Sequence, residues 1–183
     1  MTKKSGEISP RSVAPLNIDV AQAFRGAMRR LAATVTIVTA RQGDEWFGMT
    51  MTAVTSLSMD PPTLLICVNR KTRLHAVLAA VEGASFCVNL LRPGHEEAAS
   101  AFGGSVEPTA RFGIGEWACE DGAPYLVDAQ SNLFCDVTTA IAYGSHTIFI
   151  GAVRQVRLEG DVAPLIYGDG RYLPFSSDVE LPH

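Results

Sequence analysis

Residues 46–59 constrain this chain more than any other stretch. Trp46 to Ser58 carries no charge beyond its start, contains neither Pro nor a second Gly after Gly48, and ends at Asp60-Pro61-Pro62. It reads as one strand, in which residues an even number apart share a face. Met49, Met51, Ala53, Leu57 and Met59 then make an apolar face interrupted by Thr55. Thr50, Thr52, Ser56 and Ser58, with Val54 among them, make an uncharged hydroxyl face. Such a face suits a half-exposed antiparallel strand, since Thr is a good strand former. It also suits a planar, polar, uncharged-to-anionic ligand, but this segment alone favours the ordinary strand.

The rest of the chain continues in short strands. Thr34–Thr39 and Thr63–Val68 are β-branched or apolar runs, Ser85–Leu91 is another, and Leu133–Ala142 and Thr147–Leu158 flank Tyr143-Gly144-Ser145-His146. Helices are interspersed. Asp19 to Gln22 forms a capping box for a helix through Leu31, with Phe24, Ala27, Met28 and Leu31 on one packed face. Thr72 caps a second from Arg73 to about Val81, with Leu74, Val77, Leu78 and Val81 inward. A third spans Glu96–Phe102 and stops at Gly103-Gly104, and residues 103–125 read as irregular. No strand–helix alternation persists. The expectation is a mainly β (α+β) fold, an antiparallel barrel with flanking helices. Its domain would cover residues 19–175, between a flexible tail at 1–18 and a short tail at 176–183.

Composition excludes several classes. With 183 residues, 47% hydrophobic and 19% charged, the chain can bury a core without disulfides. A net charge of -4 gives no reason to expect nucleic acid or an anionic membrane. No apolar run approaches the ~20 residues of a membrane span, and the start lacks a secretory pattern. Cys67, Cys87, Cys119 and Cys135 show no metal-ligand spacing and read as buried free thiols in a reducing cytoplasm. His75, His95, His146 and His183 form no HxxxH or HExxH pattern, so no metal site is expected; His95 and His183 read as surface residues. Gly113-Ile114-Gly115-Glu116-Trp117-Ala118 matches a dinucleotide fingerprint but lacks the strand before it and the long helix after it.

The second chemical feature is Asn69-Arg70-Lys71-Thr72-Arg73-Leu74-His75, which leaves a strand and enters a helix N-terminus with three cations. Acidic residues normally favour that position, so the reversed charge fits a phosphate as well as it fits a solvated basic turn.

These segments together resemble the short-chain flavin reductases that serve two-component flavin monooxygenases, of the 4-hydroxyphenylacetate monooxygenase reductase and pyrimidine-utilisation types. The resemblance runs from Phe24 to Tyr172. It rests on Phe24-Arg25-Gly26-Ala27-Met28 with Val35–Thr39, the Gly48–Pro62 stretch, Asn69–Thr72 with His75, Phe86–Leu91, Phe102-Gly103-Gly104, Gly122-Ala123-Pro124, Gly144–Ile148 and Tyr167-Gly168-Asp169-Gly170-Arg171-Tyr172. It implies a flavin-binding split barrel working as a homodimer, in which hydride passes from NADH or NADPH to FMN or FAD. Reduced flavin then goes to a separate monooxygenase. Carried onto this sequence, it implies that Thr50, Thr52, Val54, Thr55 and Ser56 line the ring and ribityl chain. Cys67, Val68 and Asn69 continue that wall, and Arg70, Lys71 and Thr72 meet the phosphate. Phe102 lies near the flavin, and His146, with Tyr172, lies on the nicotinamide side. Ser145 departs from the Asp or Thr common before this His, so a carboxylate orienting His146 is not implied. The same barrel also occurs in non-catalytic flavin binders and in oxidases of vitamin-like substrates. Thr55 is an anomaly, because strict alternation puts it on the wrong face unless the strand bends near Ala53.

Overall fold

The computed structural model describes residues 18–120, 122–173 and 175; the expected tails at 1–18 and 176–183 fall outside these, save Ile18. Twelve strands and three α-helices are present among them. Seven strands form one antiparallel sheet: β2 (Thr36–Gln42), β3 (Glu45–Met51), β4 (Val54–Met59), β5 (Pro62–Asn69), β6 (Ser85–Leu90), β9 (Ser131–Tyr143) and β10 (His146–Leu158). Their order is β3-β2-β6-β9-β10-β5-β4. The two outermost strands, β3 and β4, are consecutive in sequence and joined only through Thr52-Ala53. The sheet therefore curls until its edges nearly meet, a barrel left split along one line.

Alternate residues of the central strands feed two cores. Val38 and Ala40 of β2 and Phe86 and Val88 of β6 pack inside with Leu64, Ile66 and Val68 of β5, Cys135 of β9 and Phe149 of β10. Helix α2 (Arg73–Ala80) plugs this interior with Leu74, Val77 and Leu78. Ile37 points the other way, under α3 (Glu96–Ser100), with Ala98, Ala99, Phe102 and Leu126. Cys87 faces outward too, beneath β7 (Trp117–Glu120) and β8 (Ala123–Leu126). β2 from Thr36 to Ala40 and β6 from Phe86 to Asn89 are buried on both faces. One buried polar group is worked into this packing. Asn89 accepts from Leu126 N at 2.8 Å and Asn132 Nδ2 at 2.9 Å, and donates to Ile37 O at 2.8 Å.

Several expectations need correction. The Trp46–Ser58 strand is broken at Thr52-Ala53, so its alternation restarts, and Leu57 and Met59 are exposed rather than buried. Helix α1 (Ile18–Met28) has Asp19 in its first turn, but Phe24, Met28 and Leu31 are exposed on this chain. Val81 ends α2 as its C-cap and is exposed. Residues 103–125 are not irregular. A π-type turn over Ala101–Ser105, a 3-10 turn over Pro108–Gly113 and the β7–β8 hairpin occupy them. His95 is buried and sits before α3, its Nε2 3.1 Å from Asp128. Cys87 and Cys135 are buried, whereas Cys67 and Cys119 are half-buried; all four are free. The dinucleotide-like glycines lead into β7, with no helix after them. A small sheet of β1 (Ala33–Thr34), β11 (Ile166–Gly168) and β12 (Arg171–Leu173) completes the fold.

Candidate functional site

The break at Thr52-Ala53 settles the anomaly of Thr55. Met49 and Met51 pack against the inner core before the break, and Val54 packs against the same core after it. Thr50 and Thr55, each one residue from an inward neighbour, therefore both face outward despite their odd spacing. The outer face continues across the ladder. Leu64, Ile66 and Val68 point inward, which turns Cys67 and Asn69 outward. Thr55 pairs with Leu65, Cys67 with Ile148, and Asn69 with His146. Thr50, Thr55, Cys67, Asn69 and His146 thus share the outer face, with Thr50 on one lip of the split and the others on the strands that lead to the opposite lip.

Local chemistry fixes the ends of this face. Asn69 Oδ1 accepts from Lys71 N at 3.0 Å, and Thr72 Oγ1 donates to Asn69 O at 2.8 Å while accepting from His75 N at 3.2 Å. Thr72 is thus the N-cap of α2, as its position in the sequence implies. Arg70 N donates to Ser145 O at 2.9 Å, which docks the β9–β10 turn against the cationic loop. Ser145 Oγ and His146 Nδ1 lie 2.9 Å apart, so a hydroxyl orients the imidazole where a carboxylate was not implied. His146, Arg70 and Lys71 are exposed. His75 lies behind them, its Nε2 2.8 Å from Thr147 Oγ1. Burial, and then the Arg70 charge, hold its pKa below the ordinary histidine value.

The sequence-derived residues are only partly gathered into cavities. Thr50, Thr52 and Tyr172 line one cleft of about 440 Å³ with Ser100, Gly103 and Tyr167. There Thr50 Oγ1 donates to Ala99 O at 2.6 Å, tying β3 to α3. Burial, with Tyr167 and Glu96 nearby, pushes the Tyr172 phenol up. Thr72 and Phe102 line a second cavity of about 520 Å³ beside Trp46, Arg73 and Phe112. Thr55, Ser56, Arg70 and Lys71 lie on open surface and Cys67 and Asn69 are half-buried, all outside these two clefts. Val68 is fully buried and Val54 packs with it, so neither side chain points to the outer face. Phe102 is buried in a ring cluster, 4.9 Å from Phe112 and 5.0 Å from Trp117 between centroids.

Sequence reasoning missed Tyr167, Ser100 and Ser105 as cleft residues. Asp169-Gly170 gave a signal for the first: it closes the β11–β12 hairpin that carries Tyr167 and Tyr172, with φ of 50° and 80°. Among the described residues no group of three or more His, Cys, Asp or Glu could hold a metal ion. No helix among them is long and apolar enough to cross a membrane.

A family model described as "Flavin reductase like domain" matches residues 28–176. This chain belongs to the flavin reductase-like family. Within the family it is 44% identical over 156 residues to the reductase component of an FADH(2)-dependent resorcinol hydroxylase from Rhizobium sp. (strain MTP-10005), covering 84% of this chain and 86% of that one. It is 40% identical to the FMN reductase (NADH) RutF 1 of Methylorubrum extorquens (strain PA1), covering 88% and 79%. Among solved family structures, the NADH:FAD oxidoreductase SgcE6 of Streptomyces globisporus C-1027 superposes with a TM-score of 0.80 at 28% identity, covering 97% of this chain and all of that one. BorF, the flavin reductase component of a bacterial two-component tryptophan halogenase, superposes with a TM-score of 0.74 at 31% identity, covering 85% and 99%. These relatives bear out the family and the split-barrel fold read from the sequence.

Proposed function

We propose that this flavin reductase-like protein is an NAD(P)H:flavin oxidoreductase that uses FMN, or FAD, and passes reduced flavin to a separate monooxygenase. The observation that carries the reading is the outward set Thr50, Thr55, Cys67, Asn69 and His146 beside the Arg70-Lys71 loop. The residues fit a flavin nucleotide by their chemistry. The face is uncharged and hydroxyl-bearing, which suits a polar ring system. Its end carries two exposed cations at a helix N-terminus, which suits a phosphate. The clefts alongside are of a size usual for small-molecule sites.

When bound, flavin supplies the two-electron acceptor chemistry, so the protein needs no acid–base pair of its own. Thr50, Thr52, Thr55, Cys67 and Asn69 orient the ring, with Val54, Val68 and Ser56, which alternation puts on the face of Val54 opposite inward Leu64, contributing main chain only. Arg70, Lys71 and the α2 amides near Thr72 hold the phosphate. Phe102 stiffens the wall from beneath. His146, steadied by Ser145, and Tyr172 flank the position of the nicotinamide and help exclude water from it.

The active form in this reading is a homodimer with one domain over residues 19–175. Leu57 and Met59 are exposed on the edge strand β4 and Ile141 and Tyr143 on the projecting end of β9, where residues 139–143 are exposed on both faces. A second copy laid there would roof the open part of the site. Four free cysteines and a nicotinamide substrate fit a reducing cytoplasm. The test is NADH and NADPH oxidation by purified protein with and without FMN, FAD and riboflavin. Flavin-dependent turnover is expected. Tight flavin binding without oxidation of either nucleotide would leave a flavin carrier instead.

A further inference from the structure

Three clefts run into one another beside α1. The cleft over Thr50 shares Thr52 and Tyr167 with a groove of about 930 Å³. That groove shares Gly26, Arg29, Gly168 and Asp169 with a third cleft of about 490 Å³. Arginines gather along the way: Arg25 in the groove, Arg30 and Arg171 in the third cleft, and Arg29 in both. Among the described residues the only carboxylate lining either is Asp169, and Arg29 Nε already holds it at 3.2 Å. Among the described residues neither Arg30 nor Arg171 is in an ion pair. The excess of positive charge is local, since the chain as a whole has a net charge of -4.

The sequence places these groups together deliberately in space. Arg25 lies in the last turn of α1 and Arg29 and Arg30 in the turn just beyond it, and the tight Asp169-Gly170 turn brings Arg171 into the same cleft. The hairpin packs closely on the chain that follows α1: a Cβ at Gly168 would stand 3.0 Å from Leu173 Cδ1 and 3.6 Å from Ala32 Cα. Ala32 and Leu173 give the cleft an apolar lining beneath the guanidinium groups. Planar guanidinium groups pair with phosphate oxygens through paired N–H donors. An apolar floor under such groups suits a base and its sugar.

We infer that the cleft around Arg30 and Arg171 binds the adenosine-diphosphate part of a dinucleotide whose redox ring lies over Thr50 and Thr52. This rests on the reductase reading for the ring end, but the phosphate end is argued from the arginines alone. NADH, NADPH and FAD all carry this group; FMN and riboflavin do not.

The test compares wild type with the Arg30→Gln/Arg171→Gln double variant, leaving Arg29 in place because it holds the hairpin. ADP binding is measured by calorimetry at several ionic strengths. Affinity for ADP falls about tenfold in the variant and loses much of its salt dependence, while FMN affinity is unchanged. Two further arms identify the source. A raised KM for NADH but not for reduced nicotinamide mononucleotide assigns the cleft to the hydride donor. A weakened Kd for FAD assigns it to the flavin. Unchanged ADP binding overturns the inference, as does an equal loss for FMN, or inorganic phosphate competing as well as ADP. Absence of flavin-dependent NADH oxidation in the wild type overturns the reductase reading instead, and the ADP titration still decides this cleft.

Discussion

Arg29 and Asp169, 140 residues apart, are joined by three hydrogen bonds. Arg29 Nε donates to Asp169 Oδ1 at 3.2 Å and Nη2 to Asp169 O at 3.4 Å, while Asp169 N donates to Arg29 O at 2.8 Å. Through them the end of α1 holds the hairpin that brings Tyr167 and Tyr172 to the cleft. The charge pair is largely exposed, so its direct electrostatic worth is small, about 0–1 kcal/mol. Asp169 also adopts a φ of 50°, which Asp and Asn tolerate better than Ala. Asp169→Ala should therefore cost about 1–2 kcal/mol, and Asp169→Asn less, read by urea unfolding. Equal losses for the two would show that the turn conformation contributes nothing.

Arg70 and Lys71 are exposed and hold up no part of the fold that their neighbours do not already secure. Thr72, by contrast, caps α2, and removing it would mix binding with helix stability. Arg70→Gln/Lys71→Gln should thus weaken FMN about tenfold or more and leave riboflavin nearly unchanged, measured by fluorescence titration. Matching losses for both flavins would move the phosphate elsewhere.

His75 supplies a pH dependence. Its folded pKa lies below the ordinary value of 6.5, first through burial and then through Arg70. The unfolded chain therefore binds the proton more readily, and stability falls as pH drops below about 6.5. His75→Gln, which can keep a hydrogen bond to Thr147, should flatten the change in Tm between pH 7.5 and 5.5. A profile identical to wild type would remove His75 as its source.

Gly48 is sized by Phe102. A Cβ at residue 48 would fall 2.6 Å from Phe102 Cε1. Gly48→Ala should destabilise by about 1–3 kcal/mol through overpacking. In a double-mutant cycle Phe102→Leu should recover part of that loss, since the smaller side chain vacates the contact. Additive losses would place the strain outside this pair.

Much of this was legible from local pattern. Thr72 announced the start of α2, and Gly144-Ser145 the long hairpin. The break at Thr52-Ala53 was not legible, because residues on both sides are strand formers and neither Gly nor Pro marks the place. Only the odd position of Thr55 hinted at it. Helix α1 misled for a different reason: its apolar stripe is real, but on this chain it faces outward. His95 reads as a surface residue until Asp128, 33 positions on, comes to its ring. Two hairpins were missed although each carries an Asp-Gly pair in the sequence, Asp121-Gly122 and Asp169-Gly170. Their strands are only three or four residues long, too short for alternation to register. For the site, the outward set on β4, β5 and β10 was readable once faces were counted from the core. The arginine cleft was not, because it joins residues from opposite ends of the chain.

The two-residue link between β3 and β4 also acts as a ruler. Three Cα-to-Cα steps separate Met51 from Val54, so the lips of the opening stay within about 11 Å there however the rest of the barrel breathes. The width of the mouth is therefore written into chain length, not into any contact that a solvent or a ligand could loosen. A single residue added at this link would change the gauge of the opening while leaving the composition of its walls intact.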